Sequence, residues 1–471
     1  MGRSRVAVAV GLAALLCAGG ASAVRAGTRA TAQELTITTS DGTKLACGLV
    51  LPSGSPPSGG WPGVMLFHGL GQTHTAMETI ASAALAHPGL ASLACDARGT
   101  GASEGKFGLD GPNEVQDARD LFNWLAARID VSDTRIGAFG LSLGGGAVWN
   151  AAVAGVPFKA IVPAISWTSL GPALNPNGVP KGGEIGQLAQ VVPFSHWDSS
   201  LTQARTDLLA GNVTAGVKST EAARSSRPKL HSLTVPTLLL QGRHDFLFDL
   251  DQALAAYKVL GGPKRLYLGD LGHPPAKNPT AELPTYLGEA VAWFEHYLAG
   301  VGTVHGGVEL AHDPWDGSTT SYSALPRARR MSVNLPGSKR IAADGSVSRS
   351  VRPTGGPLET FGDSSLMVRY SRLRNAGFGW KQIRAMVSVK GSETPITVGA
   401  APLVTSSGVV RIPLLDQAVL LPRGKRLVVT VGSTSADGIY NPFFGGPGSP
   451  PTIRIGRITL NLSLLTKPVS R

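Results

Sequence analysis

The chain has 471 residues, more than one hydrophobic core usually serves, so two or three domains are expected. Apolar residues make up 42% and charged residues 16%, with 60 Gly and 33 Pro, which excludes general disorder and suits a globular protein rich in turns and β-structure. The net charge of +12 falls wholly after Gly300, because acidic and basic residues balance before it.

Two arginines open the chain, Val6 to Ala18 is apolar, and Ala21-Ser22-Ala23 is a small-residue stretch. These are the three regions of a signal peptide, assigned here to residues 1–26 with cleavage after Ala23 or Ala26. Cys17 follows Leu16, where a lipoprotein signal needs a small residue. No later run reaches the roughly 18 apolar residues of a spanning helix, so no transmembrane segment is expected in the mature chain. The expected location is secreted or associated with the cell envelope, with a retained signal anchor as the alternative.

Glu34 to Thr39 and Thr43 to Leu51 flank the turn Ser40-Asp41-Gly42 and read as a β-hairpin. Short apolar runs then alternate with helical patterns, predicting strands at Val64–His68, Ala91–Asp96, Arg135–Phe139, Lys159–Ile165, Thr237–Gln241 and Lys264–Gly269. Continuous apolar strands between helices imply an α/β fold with a mostly parallel sheet covered on both faces. Residues 167–233 interrupt the alternation and are too long for an ordinary connection, so they are read as a helical cap over the carboxyl ends of the strands. After Gly300 helical periodicity gives way to runs such as Met386–Val389, Val409–Ile412, Arg426–Val431 and Ile453–Leu462, predicting a separate all-β domain over 301–471, a sandwich or jelly roll. The catalytic unit is accordingly placed at 34–300.

Arg135 to Gly146 reads as a strand, the pentapeptide Gly140-Leu141-Ser142-Leu143-Gly144 and the start of a small-residue helix, which is the context of a nucleophile elbow. A tight strand-to-helix turn leaves room only for Gly at 140 and 144 and lifts the Ser142 hydroxyl above the sheet. That hydroxyl needs a base, and the base a third group to orient it. Asp245 stands just past the next-to-last predicted strand and His273 just past the last, so both reach the sheet edge that carries Ser142. Asp270 is the best rival acid, but lies too close to His273 along the chain. His244 reads as solvated loop, Asp249 and Asp251 as helix-start charges, and His296 as a helix-surface imidazole. For the oxyanion the expected donors are the backbone N–H groups of Leu143 and Leu70. His68 and His74 lack the further ligands zinc would need, so structural roles, no metal and no cofactor are expected.

Asp96-Ala-Arg98-Gly99-Thr-Gly101-Ala-Ser103-Glu104-Gly105, taken with the Ser142 elbow, Asp245, His273 and a C-terminal β-domain, resembles the X-prolyl dipeptidyl-peptidase and cocaine-esterase family of α/β-hydrolases. The resemblance implies a Ser-Asp-His hydrolase with a helical cap and a jelly-roll domain packed on the catalytic one. Arg98 and Asp96 then stabilise the loop after the fourth strand. Several members draw an oxyanion donor from a Tyr where this chain has Leu70-Gly71-Gln72. Prolyl dipeptidases also grip the substrate's N-terminal amine with an acid, for which the cap offers Glu184, Asp198, Asp207 and Glu221. Cys47 and Cys95 fall in strands that are neighbours in such a sheet, and read either as a disulfide or as two buried thiols.

The expected activity is hydrolysis of a small ester or peptide substrate through an acyl-enzyme. An acyltransferase on the same triad is one alternative, and a non-catalytic envelope-binding protein another. The basic C-terminal domain either binds an anionic envelope polymer weakly or is only a solvated face; no nucleic-acid partner is expected.

Overall fold

The computed structural model describes residues 31–342, 345–354, 358–374, 382–432, 442–443 and 452–466; the signal peptide expected over 1–26 lies outside them. Ten strands form the central sheet in the order β1-β2-β4-β3-β5-β6-β7-β8-β9-β10. These are β1 Thr31–Thr38, β2 Lys44–Leu51, β3 Trp61–Phe67, β4 Ala91–Cys95, β5 Val131–Leu141, β6 Ile161–Ala164, β7 Thr237–Gly242, β8 Lys264–Gly269, β9 Gly307–Ala311 and β10 Thr319–Tyr322. The pairs from β4 through β9 are parallel, and the hairpins β1–β2 and β9–β10 add antiparallel pairs at the two edges.

The strands read as unbroken apolar runs because alternate residues feed two different cores. Met65, Leu93, Ala138, Leu239 and Leu266 pack with the helices Pro112–Ala126, Leu143–Val153 and Leu250–Val259. Val64, Leu66, Ala94, Phe139, Leu238, Leu240 and Tyr267 pack on the other face with His74–Ile80 and Leu283–Phe294. A period of two along each strand is thus hidden, because both faces are covered.

Between β6 and β7 the interrupted stretch is helical, with Leu170–Leu174, Gly182–Leu188, Ser199–Leu209 and Ala215–Ala222. It descends onto the strand ends: a Cβ at Gly71, in the loop after β3, would sit 2.7 Å from Val191 of this insertion.

The C-terminal part is antiparallel. One sheet runs β11 (Ala328–Leu335), β21 (Thr452–Leu465), β15 (Ser365–Arg374), β18 (Gly408–Pro413), with β12 (Lys339–Ile341) also on β21; the other runs β13 (Ser346–Val351), β20 (Leu427–Gly432), β16 (Gln382–Val389), β17 (Pro395–Pro402); β14 (Leu358–Glu359) and β19 (Leu420–Leu421) form a short separate pair. A core including Leu366, Val368, Ile458 and Leu460 from the first and Ile383, Val387, Val429 and Val431 from the second lies between them. The boundary expected at 301 is corrected. β9 and β10 extend the catalytic sheet, because β9 pairs in parallel with β8 and buries Val308 and Leu310 in the sheet's own core. The separate β-unit therefore begins at β11.

β2 and β4 are antiparallel neighbours with Cys47 opposite Cys95, and a disulfide joins them. Of the two readings open in the sequence, the structure has the bonded one.

Candidate active site

Ser142 sits between β5 and the helix Leu143–Val153 with φ 55° and ψ −110°, a conformation side chains rarely adopt, held by a bond from its N–H to Ala164 O at 2.9 Å. Strain of this kind costs on the order of 1–3 kcal/mol and persists only where neighbours enforce it. A Cβ at Gly140 would lie 2.0 Å from Gly144 O, and one at Gly144 2.0 Å from Phe67 O. The two glycines therefore let β5, the helix start and the end of β3 meet closely enough to force the turn.

Asp245 and His273 arrive on the loops after β7 and β8. Ser142 Oγ lies 2.8 Å from His273 Nε2, and His273 Nδ1 lies 2.7 Å from Asp245 Oδ2. Oδ2 also accepts the His273 backbone N–H at 2.9 Å, while Oδ1 accepts those of Leu247 and Phe248, each at 2.9 Å. Four donors hold this fully buried carboxylate in one orientation, and the edge-on Phe248 ring, 5.1 Å away, fixes the imidazole plane. The arrangement can pass a proton from the hydroxyl to an imidazole whose resulting charge Asp245 faces.

Leu143 begins its helix, so its N–H has no intrahelical acceptor. Leu70 occupies the second position of a turn closed by Gln72 N–H to Gly69 O at 3.1 Å, with Gly71 at φ 80°. The amide at that position of a β-turn takes no part in its closing bond. Leu70 also packs against the apolar cluster of Leu143, Trp167, Leu170, Val192 and Phe248, which brings the elbow, the cap and the acid loop together.

The rival residues are otherwise engaged. Asp270 faces Lys277 and is pushed up to about 6 by burial. Asp249 accepts the Asp416 N–H at 2.9 Å. His296 is bonded to Gly302 O at 3.0 Å. Arg98 binds Asp117 and Asp41, and Asp96 accepts from the amides of His74 and Ala102, so both fix the loop after β4 as expected. The reading of His244 as solvated loop is corrected. Its ring is buried against the C-terminal domain, 3.0 Å from Pro395 O, and burial pulls its pKa down to about 4.

Three contacts were not legible in the sequence. Lys181 of the cap is fully buried and donates to Phe246 O at 2.7 Å and Leu247 O at 2.9 Å, tying cap to acid loop. Arg243, also buried, donates to Ala418 O at 2.7 Å, to Ala311 O and to Glu359. Gln417 donates to Asp245 O at 3.0 Å. Of the four cap acids, Glu184, three residues after Lys181, has its pKa raised by burial and is influenced by the charges of Lys181, His273 and Asp245.

The family model of X-Pro dipeptidyl-peptidases (S15 family) matches residues 41–275, which include all three residues of the relay. A CocE/NonD family hydrolase from Staphylococcus aureus is similar in structure, with a TM-score of 0.71 over 93% of this chain and 94% of that one at 14% identity. An α-amino acid ester hydrolase is similar at a TM-score of 0.70, covering 94% of this chain and 98% of that one, also at 14% identity. In sequence, an uncharacterized 31.7 kDa protein of the traX-finO intergenic region of Escherichia coli is 32% identical over 102 residues, 21% of this chain. The chain spans only 36% of that relative's length. On the family match, carried by the same residues that build the site, the chain belongs to the X-Pro dipeptidyl-peptidase (S15) family, and it shares the α/β fold of the CocE/NonD hydrolase.

Proposed function

We propose that this hydrolase cleaves esters or amides through an acyl-enzyme on Ser142, with His273 as proton shuttle and Asp245 as its orienting acid. The 2.8 Å contact between Ser142 Oγ and His273 Nε2 carries the reading. The hydroxyl attacks the substrate carbonyl as its proton passes to Nε2, and the N–H groups of Leu143 and Leu70 receive the oxyanion. His273 returns the proton to the leaving group, and water then repeats the sequence to release the acid. No cofactor takes part.

The substrate we favour has an apolar acyl portion and an ammonium group near the scissile carbonyl. The Leu143, Trp167 and Phe248 cluster suits the first, and the partly buried Glu184 carboxylate, close to His273, suits the second. Aminoacyl esters and X-Pro peptides both meet this description. The signal-like N-terminus and the Cys47–Cys95 disulfide support export to an oxidising compartment.

A fluorophosphonate is expected to label the purified protein at Ser142, and Ser142→Ala to abolish both labelling and turnover of aminoacyl p-nitrophenyl esters. Unchanged labelling of the Ala variant would overturn the assignment of the nucleophile. An X-Pro-anilide assayed beside the esters separates peptidase from esterase.

A further inference from the structure

We propose that Glu34, His74 and Glu78 form a binding site for a single divalent cation of the zinc type, bracing the outer hairpin of the sheet against the loop that carries Leu70. His74 and Glu78 are four residues apart on the helix His74–Ile80 and so share a face. Glu34 stands on β1 opposite Gly48 of β2, and paired residues of an antiparallel ladder project to the same side. A Cβ at Gly48 would lie 1.3 Å from Glu78 Oε1, so the Glu78 carboxylate occupies the space this glycine leaves on the sheet surface, beside Glu34. One ligand atom from each of the three residues lies within 4.8 Å of the others.

The cluster is more than neighbouring acids. Glu78 is only 9% exposed, yet its Oε1 has no hydrogen-bond partner among the described residues. His74, 8% exposed, has its Nδ1 2.9 Å from Asp96 Oδ1, and the same oxygen accepts the His74 backbone N–H at 2.7 Å. A carboxylate on one ring nitrogen fixes the tautomer that presents the other as a metal ligand. Here Nε2 faces Glu34 Oε2 at 3.1 Å. Oxygen and nitrogen ligands on tetrahedral zinc stand about 3.3 Å apart, so this separation fits one edge of such a site, with water completing it.

The sequence hides the site because Glu34 is forty residues from His74 and on a different element. The loop from Gly69 to Thr73 runs directly into the helix that supplies His74 and Glu78, so a cation here restrains the oxyanion loop from its far end. The test uses the full chain, stripped with a chelator and dialysed, then titrated with Zn²⁺ alone by calorimetry and followed by thermal melting. One equivalent should bind, and the melting temperature should rise with Zn²⁺ concentration. Glu34→Gln and Glu78→Gln should each weaken binding at least about 10-fold, with far-UV circular dichroism unchanged. Absence of stoichiometric binding, or binding unchanged in both variants, overturns the proposal and leaves an imidazolium held between carboxylates. A response to Ca²⁺ but not Zn²⁺ overturns the nitrogen-ligand assignment.

Discussion

Replacing Arg243 with Met tests whether the C-terminal domain holds Asp245, the proposed catalytic acid, in place. The guanidinium, 1% exposed, bonds one carbonyl of the C-terminal domain (Ala418), one of the sheet edge (Ala311) and the Glu359 carboxylate. Breaking a buried pair from one side costs roughly 3–5 kcal/mol, since the acceptors remain without their cation. Asp245 keeps its four local donors, so it shifts without being released. A displacement of about 1 Å in a catalytic group costs on the order of 100-fold in rate, and loss of a triad acid's function on the order of 10⁴-fold. Arg243→Met is thus expected to lower kcat/KM by about 10- to 100-fold, mainly through kcat, and to lower the thermal transition. Should this variant fail to fold, Gln417→Leu removes the bond to Asp245 O at about 1 kcal/mol and should lower kcat in the same direction. Wild-type kcat/KM in both variants would refute the coupling.

Gly144→Ala puts a Cβ 2.0 Å from Phe67 O and should cut kcat/KM by about 100-fold or more, with fluorophosphonate labelling lost in parallel. His244 contributes to acid sensitivity. Its folded pKa of about 4 lies below the unfolded value near 6.5, so the unfolded chain takes up the proton first; stability is full above about 6.5 and falls by about 3 kcal/mol as pH drops to about 4. Asp249 and Asp270, raised to about 6, gain stability over much of the same range, so the comparison is between proteins rather than between pH values. His244→Gln should narrow or reverse its stability gap to wild type by about that amount between pH 7 and pH 4 in urea unfolding, and a constant gap would contradict the linkage. Glu184→Gln should raise KM about 10-fold for substrates with a free amine and leave uncharged esters unchanged; an equal effect on both would remove Glu184 from amine binding.

What the sequence made legible was what short-range sterics dictate. Gly140, Ser142 and Gly144 are readable because a strand that turns at once into a helix admits no other residues at the glycine positions. Asp245 and His273 are readable because strand ends and chain order place them on one edge. The hairpin Gly307–Tyr322 was assigned to the wrong unit because a β-run looks the same whichever sheet it joins, and only its pairing with Lys264–Gly269 decides. His244 reads as solvated loop, and Arg243 carries no signal, because their acceptors, Pro395 and Ala418, lie about 150 residues or more away. Lys181 and Glu184 carry no local pattern, since a cap's path over the elbow is set by packing rather than by period.

Ser142 and Asp245, the proposed nucleophile and acid, are therefore secured by different kinds of interaction. Ser142 is held where its own strand meets its helix, with Ala164 O and the close approach of Gly144 to Phe67 O completing the turn, so the short Gly140–Gly144 pattern is enough to reveal it. Asp245 lies on a loop whose flanking groups, the Arg243 guanidinium and the His244 ring, are buried and cannot be satisfied within the loop. Water would serve them in an isolated catalytic domain, but then the loop would be exposed and free to move. The C-terminal domain replaces that water with fixed acceptors at Ala418 and Pro395 and adds the Gln417 donor, while Lys181 binds the same loop from the cap side. Phe246 sits in one apolar cluster with Val179 of the cap and Val398, Ala400 and Leu415 of the C-terminal domain. Both added units converge on the acid loop, so the C-terminal domain is part of the support of the active site and not an appendage.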